Sequence, residues 1–149
     1  MPVFRVRSIS PRPPADTWLR VTDWPAHAAS VPLTRTVVLT PPPAGEGTRF
    51  VARTAVGRFT VVDDPMVVVR WEPPVEGASG SPGVCRVEKE GRVLTGWAEI
   101  EVAADGRGGS VATWTEELAV ARLPAFTDPV LRRVSRFVFG QALDAMLRP

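Results

Sequence analysis

The chain has 149 residues, 44% of them hydrophobic, and a formal charge of only +2. That is the scale of a single domain, residues 1–149, which can bury roughly two thirds of its unfolded surface without a disulfide or a metal. One cysteine, Cys85, and one histidine, His27, exclude an intramolecular disulfide and an ordinary structural zinc site, and no metal or cofactor is expected.

The start, MPVFRVRSIS, alternates charge with apolar residues and has no h-region of a signal peptide, so a cytoplasmic chain is expected. Residues 3–9 read as a first strand, ended by the prolines of SPRPPADTW, with Asp16 and Thr17 available as helix caps. ADTWLRVTDWPAHAASVP reads as two short helices broken near Asp23 to Pro25. From Leu33 to about Ala119 the texture turns to β-branched runs: LTRTVVLT, TRFVARTA, RFTVVD, MVVVRW, VCRVEKE, RVLTGWAEIEVA and SVATWTEEL. Between them lie PPPAGEG, Gly57, DDP, a long loop from Pro73 to Gly83, Gly91 and ADGRGG, all turn chemistry. Connections this short favour an antiparallel meander. GRGG has no P-loop lysine and no following helix, so it is a turn.

The last element, DPVLRRVSRFVFGQALDAMLR, is a long amphipathic helix with Asp128 as N-cap and Pro129 in first position. Its periodicity places Val130, Val134, Phe137, Val138, Gln141 and Ala145 on one arc. Phe139, Leu143 and Leu147 fall among the charges, so the helix is expected to touch protein, or a partner or second copy, on more than one side.

Basic residues are scattered, which argues against nucleic acid. Apolar runs of about four or five residues are far short of the roughly 20 that span a bilayer, so no integral membrane contact is expected. Arginine supplies 17 of the 18 basic residues, and Asn and Tyr are absent. This usage reads as the codon bias of a GC-rich bacterial genome, because scattered surface positions accept lysine equally well.

One strand, two short helices, six or seven antiparallel strands and a long C-terminal helix form a distinctive order. The segments PADTWLRVTDWPAHAASVP, GEGTRFVART, DDPMVVVRWEPP, GWAEIEV and GGSVATWTEEL resemble segments at matching places in bacterial proteins of the START/SRPBCC superfamily. The resemblance covers essentially the whole chain. It implies an α+β helix-grip fold, a curved antiparallel sheet wrapped around the C-terminal helix. It also implies an apolar ligand held between sheet and helix, with cyclisation or dehydration of polyketides catalysed by some members.

Candidate site residues come from faces that break their own pattern. Alternation in ATWTEEL places Ala112, Trp114, Glu116 and Leu118 on one face. An unpaired buried carboxylate is costly, so Glu116 lies at a strand end in water, pairs with a donor, or lines a wet cavity. In the last case it is an acceptor for a ligand hydroxyl or a general base. Gln141 interrupts the helix arc and either bonds to backbone or shares a polar pocket with Glu116. Trp114 and Phe137 are core aromatics or cavity walls. Gly96 and Ala98 leave inner-face space for a ligand, or serve strand bending. His27 is a surface or interhelix hydrogen-bonding group or an acid/base candidate. Trp97 belongs on the outer face, the phase of Arg70 stays open, and Cys85 is a small core residue.

The reading this supports is binding of a hydrophobic or aromatic small molecule, lipid- or polyketide-like, by a monomer or homodimer. Trp114, Glu116, Gly96, Ala98, Phe137 and Gln141 form the ligand site. The alternatives are a polyketide cyclase or dehydratase in which Glu116 or His27 moves protons, and a protein-interaction module built on the C-terminal helix.

Overall fold

Period-two alternation sets the inner and outer surfaces from the first strand onward. In β1 (Val3–Ser10) Phe4, Val6, Ser8 and Ser10 are buried while their neighbours are exposed. A computed structural model describes residues 3–31, 33–56, 58, 60–77 and 80–148, without the side chains of 28–30, 56 and 60. Gly57, expected at a turn, lies outside the described residues, as do residues 78 and 79 of the long loop.

After β1 come α1 (Pro14–Val21) and α2 (Trp24–Ser30), then β2 (Thr34–Val38), β3 (Arg49–Val56), β4 (Thr60–Glu72), β5 (Gly83–Lys89), β6 (Leu94–Ala104) and β7 (Ser110–Val120). A single 3-10 turn, Ala125–Thr127, leads into α3 (Asp128–Met146). The seven strands form one antiparallel sheet in the order β1-β7-β6-β5-β4-β3-β2, with α3 packed on β1 and α2. This is the helix-grip arrangement expected from the element order.

Three expected boundaries move. DDP is not a turn, because β4 runs unbroken through Asp63, Asp64 and Pro65. Pro65 is tolerated because its carbonyl accepts the Glu90 N–H at 2.7 Å, so its own missing donor falls at the end of the β4/β5 ladder, whose register starts at Met66 and Lys89. Asp16 and Thr17 do not cap α1, whose N-cap is Pro13. Thr17 lies inside the helix, buried against Ser110 with 2.7 Å between their hydroxyls. Likewise Asp128 is the first residue of α3 and Thr127 its N-cap.

Two places in the sheet depart from regular strand geometry. The β4/β5 register shifts between Val68 and Arg70, and beyond the shift Arg70 points outward to pair with Glu72 at 2.7 Å. In β6, Gly96 has φ +126°, and an added Cβ would collide with the Glu117 carbonyl oxygen. Its lack of a side chain therefore permits close strand approach. Trp97 is on the outer face, with the Arg86 guanidinium 4.3 Å from its ring centre.

The helix phase expected from periodicity is overturned. Phe137 is 66% exposed and Val130 and Val134 are also exposed, as is Gln141. Ser135, Ala142, Leu143, Met146 and Leu147 are buried instead, with Phe139 packed against the core. The helix carries two apolar arcs. Periodicity summed along its length favours the arc rich in N-terminal valines, whereas only the C-terminal half reaches the core. Arg20 fastens that end by donating from Nη1 to the carbonyls of Met146 and Arg148 at 3.3 and 2.9 Å.

This phase has a direct consequence for stability. Leu143→Ala should cost about 2–5 kcal/mol, while Phe137→Ala should stay within about 0.5 kcal/mol. Urea titrations of the two variants would show the ranking, and the reverse order would mean that the helix is rotated.

Candidate active or ligand-binding site

Where the inner faces of β2 to β7 meet α2 and α3, the side chains leave a cavity of about 160 Å³. Its wall is largely aromatic. Trp24 stacks on Phe50 at 4.6 Å and sits 5.1 Å from His27, His27 is 5.2 Å from Trp114, and Trp114 is 5.3 Å from Phe139. Phe4 backs Phe139 at 5.4 Å. Met66, Val87, Leu94, Ala98, Ile100 and Leu118 complete much of the apolar lining.

Into this wall three charged side chains converge, each placed by strand alternation. On β5, Cys85, Val87 and Lys89 share the inner face; on β4 Asp64 shares it with Met66 and Val68; on β7 Glu116 follows Trp114. The Lys89 side chain is 3% exposed. Its Nζ donates to Asp64 Oδ2 at 2.5 Å and lies 3.3 Å from Glu116 Oε1. Glu116, 1% exposed, also accepts the Trp114 indole N–H on Oε2 at 3.0 Å. Of the three fates open to Glu116, pairing with donors beside a cavity is the one realised.

Burial raises the pKa of Glu116, with Lys89 and the indole opposing it, and burial likewise raises Asp64 against the pull of Lys89. Burial alone would lower Lys89, but Glu116 and Asp64 outweigh it and hold the ammonium above its ordinary value. Asp64 Oδ1 and the Trp24 indole nitrogen are buried without a hydrogen-bond partner.

His27 lies at the cavity wall with Nε2 2.6 Å from the Val21 carbonyl oxygen. A carbonyl only accepts, so Nε2 carries the proton and Nδ1 is the ring's acceptor. Burial lowers the pKa of His27, keeping the ring neutral. Cys85 is buried and its thiol is pushed up to about 12 by burial, leaving it a packing residue.

The structure thus brings Trp114, Glu116, Ala98 and His27 together at one cavity and leaves three expected residues outside it. Phe137 and Gln141 lie on the exposed arc of α3, and Gly96 sits against the Glu117 carbonyl of β7 rather than in the lining. Lys89 and Asp64 were not expected there. Lys89 is the chain's only lysine, and the alternation of Cys85 and Val87 carries it inward. That coincidence is the signal that reading the arginine excess as codon bias passes over.

Among the described residues, no three His, Cys, Asp or Glu side chains are grouped to hold a metal, and no helix is long and apolar enough to cross a membrane. No family model and no curated protein matches the chain. Solved structures do. TTHA0849 from Thermus thermophilus matches with TM-score 0.67 and 15% identity over 98% of this chain and 92% of that one. A norcoclaurine synthase of Thalictrum, in complex with a transition-state analogue, matches with TM-score 0.62 and 15% identity over 97% and 92%. The di-domain ARO/CYC StfQ of the steffimycin biosynthetic pathway matches with TM-score 0.66 and 14% identity over 97% of this chain and 50% of its own length. The chain therefore has the helix-grip, Bet v 1-like fold.

The charge cluster sets measurable energetics. Lys89→Met keeps most of the stem and strands two carboxylates, so it should cost about 3–5 kcal/mol at pH 7.5. Carboxylates whose folded pKa exceeds the unfolded value bind more protons when folded, so the loss should shrink as pH falls toward 5. Denaturant titrations at both pH values check this, with the Asp64→Asn/Lys89→Met/Glu116→Gln variant expected to recover most of the loss. His27 acts with the opposite sign. Below about pH 6.5 the unfolded chain binds its proton and the folded chain does not, a slope of up to about 1.4 kcal/mol per pH unit. His27→Gln should remove that slope.

Proposed function

We propose that the protein binds a small, largely apolar aromatic molecule in the cavity between sheet, α2 and α3. The observation that carries this reading is an aromatic-walled cavity whose polar groups are few and converge on one place, Glu116, Lys89 and Asp64. Ligand sites are mostly apolar concavities with a small number of placed polar groups. Size narrows the class. A dry cavity of about 150 Å³ holds benzene, so about 160 Å³ suits one ring with a short substituent better than a fatty acyl chain. The aromatic wall would take the ring, and the charged cluster would orient its substituent. The Bet v 1-like fold supports this reading as a frame that encloses such cavities.

A second reading, proton-transfer catalysis, is favoured by one observation: Glu116 is a buried carboxylate of raised pKa beside an ammonium. The likeness to the ARO/CYC StfQ is consistent with it, although a folded multi-ring polyketide exceeds the cavity volume. In that case Glu116→Gln would abolish turnover of a bound substrate while leaving its binding.

Binding is tested by thermal shift and tryptophan quenching with toluene, indole and 2-naphthol, with palmitate as comparison. A ligand at 100 times its dissociation constant adds about 2.7 kcal/mol to folding, several degrees of Tm for this size. The one- and two-ring probes should produce that shift, and Ala98→Leu, which fills the cavity, should abolish it. No shift with any probe, in a wild type that unfolds cooperatively, would rule the reading out.

A further inference from the structure

We infer that the ligand carries a protonated amine, so that the site selects arylalkylammonium compounds over neutral or anionic aromatics of the same shape. The inference rests on the reading of the cavity as a small-molecule site and adds the charge of its occupant.

The cluster holds two carboxylates and one ammonium, Asp64, Glu116 and Lys89, a net charge of 1 − 2 = −1 when all are ionised. The remaining titratable side chain at the cavity is His27 on α2, which its buried position keeps neutral. Arg49 and Arg53 of β3 pair instead with Glu90 and Asp63 outside the cavity. An uncompensated negative charge inside apolar walls is costly, and a cation balances it.

Geometry identifies where the cation would bind. Lys89 occupies one oxygen of Asp64 and one of Glu116, and the indole of Trp114 occupies the other oxygen of Glu116. Asp64 Oδ1 is left, buried and without a partner on a residue that lines the cavity. In the ionised form of Asp64 this oxygen can only accept. The rings of Trp24, Trp114, Phe50 and Phe139 that surround the same space favour a cation through their negative faces and a ring through stacking. An ammonium on a short stem attached to one aromatic ring satisfies both. A carboxylate in its place would meet the cluster's own charge, and a neutral hydroxyl would leave that charge unbalanced.

Three nearly isosteric probes test this: benzylamine, benzyl alcohol and benzoate, titrated calorimetrically against the wild-type protein at pH 7.5. Benzylamine should bind at least about 10-fold more tightly than benzyl alcohol, with benzoate weakest, a difference set by a charge-assisted hydrogen bond. The preference should fall as pH drops toward 5, because protons then compete for Asp64 and Glu116 while Lys89 stays charged. Asp64→Asn should bring the amine-to-alcohol ratio close to one; the pH dependence in the wild type decides the matter if that variant does not fold. Equal affinities for benzylamine and benzyl alcohol, or a preference for either other probe, would overturn the inference and leave aromatic binding intact. Failure of all three, together with toluene and indole, would remove the aromatic site and the amine with it.

Discussion

The ammonium of Lys89, held between Asp64 and Glu116 inside an apolar half-barrel, is the interaction on which the site depends. Each of the three side chains comes from a different strand, and none would be tolerable alone in that environment. Their meeting requires the register of the sheet to be correct across β4 to β7. Met66 pairs with Lys89, Val87 with Ala98 and Ala98 with Glu116. A one-residue slip in any of these ladders would send a charge to the opposite face. The cluster therefore ties a polar requirement to the same alternation that builds the core.

Around it, the curvature of the sheet creates the space. The register shift in β4 bends the sheet and Gly96 lets β7 approach β6 closely, and small Ala98 keeps the inner face of β6 shallow where it passes Glu116. Helices and strands together wall the space with rings, beside Ala142 and Met146 of α3. Phe50, Trp24, His27, Trp114, Phe139 and Phe4 follow one another at centroid separations of 4.6 to 5.4 Å. Such rings offer flat apolar walls at low conformational cost. At the other end, polar contacts fasten the elements, with Ser8 donating to Asp144 at 2.6 Å and Ser110 to the Arg12 carbonyl at 2.9 Å.

Much of this was legible residue by residue, and the failures have physical causes. The element order pointed to the helix grip because antiparallel strands with short turns have few ways to cover a long amphipathic helix. The inward face of β7 followed from strict alternation, which is why Trp114 and Glu116 were found together. The phase of α3 did not follow. With apolar residues on two arcs, periodicity cannot tell which arc meets the sheet, and Phe137 and Gln141 were assigned to the wrong side. Asp64 was hidden because Asp-Asp-Pro is turn chemistry, and only the edge of the β4/β5 ladder makes a proline acceptable there. Lys89 could have been read. A single lysine among arginines, two positions beyond Val87 and four beyond Cys85, falls on the buried face of its strand, and lysine rather than arginine is the compact point charge that fits between two carboxylates.

The same rarity gives the most direct measurement. Because the chain has one lysine, labelling with 15N-lysine yields a single side-chain resonance, that of Lys89 Nζ. An ammonium enclosed by Asp64 and Glu116 should show Nζ protons that survive solvent exchange at neutral pH and should titrate above the ordinary lysine value. A Nζ that exchanges as fast as that of a free lysine and titrates at the ordinary value would contradict the buried ion cluster, and with it the site built around it.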